Sequence, residues 1–267
     1  MATAIQTHGL AAIEKAFAQA KTEKRAAFIP YFPIGYPDYA TSLDVITAFA
    51  EVGADIIEVG VPFSDPLADG PAIQAATQIA LKNGTTPQHC VKAIGELRQR
   101  GIQTPMVLMG YVNPFMAYGY EKLTADAKKF GIDGFIIPDL PADEADDFQK
   151  LVDGYKLGLS YFVAPTSSPS RIRLAAQKSR GYIYLVSITG TTGAKEALPE
   201  ELTQNVAAIR TVTQHPIAVG FGVNTPNQAK QLGQLVDGVI VGTALVKAGG
   251  KSVDEARSLA AALRNAL

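Results

Sequence analysis

Glu58 interrupts an otherwise apolar run: Ile56, Ile57, Glu58, Val59, Gly60, Val61. Side chains alternate along a strand, so Ile57 and Val59 share one face and Glu58 shares the other with Ile56. A carboxylate inside such a strand is expensive to bury unless it is paired or used. No strand-like run of this chain carries Lys or Arg in its interior, which argues against a structural ion pair and for chemistry. Burial raises the pKa of an acid, and a raised pKa suits proton shuttling near neutrality. Asp65 and Asp69 follow at once, in the segment SDPLADGP. An Asp among Pro and Gly is by itself a turn former. Here, the segment opens an unusually long connection, and long insertions are usually functional. Glu58 and one of these Asp residues can bracket a substrate.

A second group of residues suits an anion. Gly220, Phe221 and Gly222 end one strand-like run, and Gly242 and Thr243 end the next. Glycines there let backbone N–H groups approach a phosphate ester, and a short helix starting near Thr243 points its N-terminus at the same place. Tight strand-to-helix turns also need Gly, so both readings stand. The stretch Thr189, Gly190, Thr191, Thr192, Gly193 is a candidate mobile lid or a plain Gly-rich loop. Tyr111, Tyr184 and Phe135 lie on or beside strand ends, where aromatics are more often core than contact. A Schiff-base aldolase needs a Lys projecting from a strand, and none is present. A metal aldolase needs clustered His, whereas His8, His89 and His215 are dispersed. A carbon–carbon cleavage here has to run on carboxylates, and no metal site is expected.

Eight apolar runs must position these residues: 26–32, 55–61, 105–111, 134–140, 158–164, 182–188, 216–222 and 238–244. Most are continuously apolar, as parallel strands buried on both faces are. Segments of helical apolar spacing separate them, several opening on Ser, Thr, Asp or Pro and closing on Gly. The pattern predicts a single domain over 1–267: a closed (β/α)8 TIM barrel with an extra N-terminal helix and a long loop and helix insertion after the second strand. A doubly wound open sheet is the alternative. Catalysis in such barrels sits at the C-terminal ends of the strands and in the loops that follow, so chemistry is to be sought at the C-terminal end of each run. In the leading segment, Ile13, Phe17 and Ala20 share a helical face.

With 24 basic and 25 acidic residues, the net charge is −1, which argues against nucleic acid or an anionic membrane as partner. Cys90 is the one cysteine, so no intrachain disulfide framework exists. The N-terminus has no secretory pattern and no apolar run is long enough for a bilayer, so a cytoplasmic protein is expected.

The segment EVGVPFSDPLADGPAIQ, 58–74, closely resembles the signature of the tryptophan synthase alpha subunit family. The similarity continues through IPYFPIGYPD, LMGYVNPF, IIPDLP, GYIYLVSITGTTG, GFGVNTPNQ and VGTALVK. The resemblance implies a lyase of L-tryptophan biosynthesis that cleaves indole-3-glycerol phosphate to indole and glyceraldehyde 3-phosphate. It implies Glu58 as the acid–base residue and Asp69 as the acceptor of the indole N–H. It further implies an indole pocket of Tyr31, Met109, Tyr111 and Tyr184, and a phosphate site of Gly193, Gly222, Gly242 and Thr243. Thr192 matches the lid threonine, and Asp65 and Pro66 fall on the segment expected to meet a partner. That partner is a beta subunit in an αββα complex, which receives the indole and carries the pyridoxal phosphate (PLP). No cofactor is expected on this chain. Thr191 stands where family lids have Val. Three other readings remain open here: a different phosphate-binding barrel isomerase or synthase, a stand-alone indole-releasing lyase, and a non-catalytic alpha-like allosteric subunit.

Overall fold

In the computed structural model, residues 8–186, 200–220 and 222–267 are described. The strands are β1 (Ala27–Pro33), β2 (Ile57–Gly60), β3 (Met106–Met109), β4 (Gly134–Ile136), β5 (Gly158–Ser160), β6 (Phe162–Val163), β7 (Ile183–Val186), β8 (Ile217–Gly220) and β9 (Gly238–Val241). All pairings between named strands are parallel, in the order β5-β4-β3-β2-β1-β9-β8-β7-β6. The two strands at the ends of that order, β5 and β6, are consecutive halves of the run read as one strand over 158–164. The first half pairs with β4 and the second with β7, and the Tyr184 amide donates to the Tyr161 carbonyl at 3.1 Å. The chain itself therefore closes the barrel at this break.

Alternation along the strands divides the core in two. Ala27, Ile29, Ile56, Val107, Ile136, Tyr182, Ala218 and Ile240 cluster inside the barrel. Their neighbours Phe28, Ile57, Val59, Leu108, Phe135, Ile183, Val219 and Val239 pack against the helices. The N-terminal helix, Leu10–Thr22, buries Ile13, Phe17 and Ala20 in the inner cluster and so plugs the N-terminal mouth. Gly158 permits that approach, because a Cβ there would lie 2.5 Å from Ile13 Cδ1.

At the same mouth three carboxylates tie strand starts together. Asp55 accepts from the Phe28 amide at 2.8 Å, Asp133 from Met106 at 2.8 Å, and Asp237 from Ile217 at 2.8 Å. Each is held by an arginine, Arg25, Arg98 and Arg210 respectively. Asp133 also accepts from the Gly9 amide at 2.6 Å, which fixes the start of the N-terminal helix.

The long connection after β2 contains two helices, Pro71–Lys82 and Pro87–Gln99. Each has Pro in its first turn, where the missing N–H costs nothing. Thr86 and the His89 side chain form a reciprocal cap on the second, which accounts for that histidine. A further short helix, Val112–Tyr118, follows β3. The strands are shorter than the apolar runs. After Ile136, for example, the chain leaves the ladder at Ile137 and Pro138, and proline has no N–H to give it. Those surplus residues become the walls of the C-terminal mouth.

Candidate active site

Glu58 lies in β2 between Tyr31 of β1 and Val107 of β3, its register partners, and is completely buried. The Tyr182 hydroxyl donates to its Oε1 at 3.3 Å. Its Oε2 is buried with no hydrogen-bond partner among the described residues. Burial pushes the pKa of this acid up to about 8, against the smaller opposing effect of Tyr182. At neutral pH the carboxyl is therefore protonated and holds a proton that it can deliver into the cavity.

Asp69 is carried by the turn after β2. Its amide donates to the Pro66 carbonyl at 3.0 Å, and Gln74 Nε2 donates to its carbonyl at 2.9 Å. The Ala68 amide donates to the Tyr111 hydroxyl at 3.0 Å, so Tyr111 pins the turn from behind. Burial raises the Asp69 pKa to about 6, and hydrogen bonding by the Tyr111 side chain works against the rise. Asp69 is thus mainly ionised at neutral pH where Glu58 is not. Two carboxyl groups in different environments take opposite proton states, the arrangement that separates an acid from a charge stabiliser.

Both acids line one cavity of about 380 Å3 at the C-terminal mouth. Tyr31, Met109 and Tyr184 line it as well, and so do Gly222, Gly242 and Thr243. Tyr184 stacks on Phe162 with ring centroids 4.4 Å apart and planes at 26°, giving a flat aromatic wall that suits a planar ring. Gly222 has φ +67°, a left-handed backbone that favours glycine, and open space where a Cβ would stand. Gly242 caps the helix Thr243–Gly249, whose first-turn amides are free of intrahelical acceptors.

Not every expected residue falls in this cavity. Tyr111 lines an adjacent one of about 420 Å3, shared with Phe63, Asp65, Leu67 and Asn113, and meets the acids through its side-chain hydrogen bond with Asp69. Asp65 is exposed, but Pro66 is buried, and the side chain offered outward is Leu67, 94% exposed. Thr192 and Gly193 lie outside the described residues. Sequence reading passed over Tyr182, although its place two residues before Tyr184 puts both on the inward face. It also passed over Phe162, Ile73, Val186 and Ile240, which close the cavity walls. Phe162 had no legible signal, because its orientation depends on the break in the fifth strand.

A sequence model of the tryptophan synthase alpha chain matches residues 17–266. The chain belongs to the tryptophan synthase alpha chain family. It is 43% identical over 234 residues to the tryptophan synthase alpha chain of Chloroflexus aurantiacus, covering 88% of each. It is 41% identical over 257 residues to that of Aquifex aeolicus, covering 96% of this chain and 98% of the relative. Its fold superposes on a chain of Mycobacterium tuberculosis tryptophan synthase with TM-score 0.90 at 37% identity, over 95% and 97% of the two chains. The tryptophan synthase alpha chain of Legionella pneumophila superposes with TM-score 0.87 at 31% identity, over 96% of each. These likenesses extend over nearly the whole length of the barrel.

Proposed function

We propose that Glu58 and Asp69 divide the alpha reaction of tryptophan synthesis between them. The chain is a carbon–carbon lyase that cleaves indole-3-glycerol phosphate to indole and glyceraldehyde 3-phosphate by a retro-aldol reaction. Protonated Glu58 gives its proton to indole C3, and the ring becomes an indolenine cation. Ionised Asp69 accepts a hydrogen bond from the indole N–H and stabilises the positive charge developing there, as a preorganised acceptor does in a dry site. The Glu58 carboxylate then takes the proton of the hydroxyl on the carbon attached to C3. The C–C bond breaks, its electron pair returns to the ring, and the former carbinol becomes the aldehyde. Glu58 ends protonated, as it began. Tyr182 holds Glu58 Oε1, leaving Oε2 to exchange the proton.

Tyr31, Met109, Tyr184 and Phe162 hold the indole, and the amides around Gly222, Gly242 and Thr243 hold the phosphate at the other end. The alpha chain works with a beta chain. We assign the pyridoxal phosphate to that partner, which consumes the indole, and the docking segment to the turn around Asp65, Pro66 and Leu67. No described helix is long and apolar enough to cross a membrane, and we place this biosynthetic enzyme in the cytoplasm.

The observation that carries this reading is the pair of acids with raised pKa in one cavity. The test is turnover of indole-3-glycerol phosphate by Glu58→Gln and Asp69→Asn. General acid–base groups contribute about 10²–10⁴-fold, and a loss of that size is expected from each with the fold retained. Turnover within a few-fold of the parent removes that residue from the mechanism. The chain has no Trp, so indole emission is read over a tyrosine background.

A further inference from the structure

A large cavity lies at the end of the barrel away from the acids. It encloses about 1040 Å3, against about 380 Å3 for the catalytic cavity. Gly181, Pro216 and Asp237 line it, each immediately before or just ahead of β7, β8 and β9, so it opens at the N-terminal mouth. One side of the N-terminal helix forms its other wall, through Phe17, Ala18 and Lys21. The family reaction needs nothing at this face, because the substrate is held at the opposite one.

Its lining combines two chemistries. Phe17, Val212, Pro216 and Val236 supply an apolar surface. Five cationic side chains and two anionic ones, Glu14 and Asp237, also line it, an excess of three positive charges on a chain whose net charge is −1. Two of the five are committed, Arg25 to Asp55 at 2.6 Å and Arg210 to Asp237 at 2.5 Å. Lys21, Lys24 and Lys230 have no carboxylate within ion-pair distance among the described residues, and their side chains stand exposed around the rim. Like charges around a concavity with apolar walls focus a field into it and attract the opposite charge. The volume is just above the range of ordinary small-molecule sites, roughly 300–1,000 Å3.

We propose that this cavity is a second binding site, for a small organic anion whose apolar ring or chain rests on Phe17, Val212, Pro216 and Val236 while its charge meets Lys21, Lys24 and Lys230. Partial burial and nearby Arg180 lower the His215 pKa, so the imidazole on the same wall is neutral and available as a hydrogen-bonding group. Neither the apolar wall nor the lysine rim suits a plain hydrocarbon or an inorganic ion alone, because each leaves one half of the lining unused.

The test uses the full chain and 8-anilinonaphthalene-1-sulfonate, an apolar anion whose emission rises in apolar sites. The chain lacks Trp, so Val212→Trp places a single indole reporter at a position 38% exposed on the cavity wall. The dye is expected to bind one per chain and to quench that reporter with the same midpoint at which its own emission rises. Combining Lys21→Glu with Lys230→Glu is expected to weaken binding about tenfold or more, the effect of losing one charge-assisted hydrogen bond. The uncharged analogue N-phenyl-1-naphthylamine is expected to bind at least about tenfold more weakly, on the same ground. Filling the catalytic cavity with indole is expected to leave directly excited dye emission unchanged. Each of four results overturns the proposal: no saturable dye binding, dye emission without reporter quenching, affinity indifferent to the lysine reversals or to the missing sulfonate, and displacement by indole.

Discussion

Glu58 and Asp69 are both carboxylates, and what distinguishes them is where the backbone puts them. Glu58 is sealed in β2 with one phenol for company, and its pKa rises to about 8. Asp69 sits on a turn at the cavity wall and rises only to about 6. The working form has Glu58 protonated and Asp69 ionised. Raising the pH through about 6 ionises Asp69 and should increase kcat/KM, and raising it through about 8 deprotonates Glu58 and should decrease it again. The expected profile is a bell centred near neutrality, measured as initial rates of indole release from indole-3-glycerol phosphate. A rate that keeps climbing above pH 8 contradicts an acid role for Glu58. Tyr182→Phe sharpens the test. The phenol hydrogen bond holds the Glu58 pKa down, so its loss should move the alkaline limb to higher pH while the acid limb stays. A purely structural tyrosine would lower the rate and leave both limbs in place. Glu58 was legible in the sequence because an ionisable residue stands out in an apolar strand. Asp69 was legible as a candidate beside Asp65, and only resemblance chose between them, since a turn sequence does not say which side chain points inward.

The elements that carry these residues were legible to different degrees, for a physical reason. Apolar runs and helical spacing are local, and the eight strand positions and the N-terminal helix with Ile13, Phe17 and Ala20 inward follow from them. The break between β5 and β6 is not local: it shows only in the pairing, the first half with β4 and the second with β7. The Asp clamps at the N-terminal mouth are equally non-local, joining residues 27 apart in the pairs Met106–Asp133 and Arg210–Asp237. They also differ from ordinary surface pairs. Asp133 is fully buried and Arg98 is 11% exposed, whereas Lys150 and Asp147 are 77% and 94% exposed. Removing one member of a buried pair strands the other charge, at a cost of about 3–5 kcal/mol, while exposed pairs contribute about 0–1 kcal/mol. Arg98→Ala is therefore expected to lose about 3–5 kcal/mol of stability in urea unfolding, and Lys150→Ala less than about 1 kcal/mol. Equal effects would mean that the Asp133 carboxylate finds water or another donor when Arg98 is gone.

For the molecule as a whole, the exposed apolar side chains show where another chain can meet it. Leu67 is 94% exposed, more than any other large apolar side chain among the described residues. It belongs to the same turn as Asp69, two residues away, between the Asp65 carbonyl that its amide meets at 3.0 Å and the Ala68 amide held by Tyr111. Expectation from the sequence centred on Asp65 and Pro66, but Pro66 is buried and serves the turn from within. A partner that covers Leu67 would also grip the segment that aims Asp69. Burying a leucine side chain contributes about 1.5–3 kcal/mol, which is roughly a ten- to hundredfold change in affinity. Leu67→Asp should weaken the complex with a beta chain by at least that factor, measured by titration calorimetry. Tyr155→Asp is the matched control. Tyr155 is 36% exposed and ends the helix that precedes β5, on the opposite mouth of the barrel, so the same charge introduced there should leave the affinity as it was. Equal affinities for parent and Leu67→Asp would place the beta chain elsewhere.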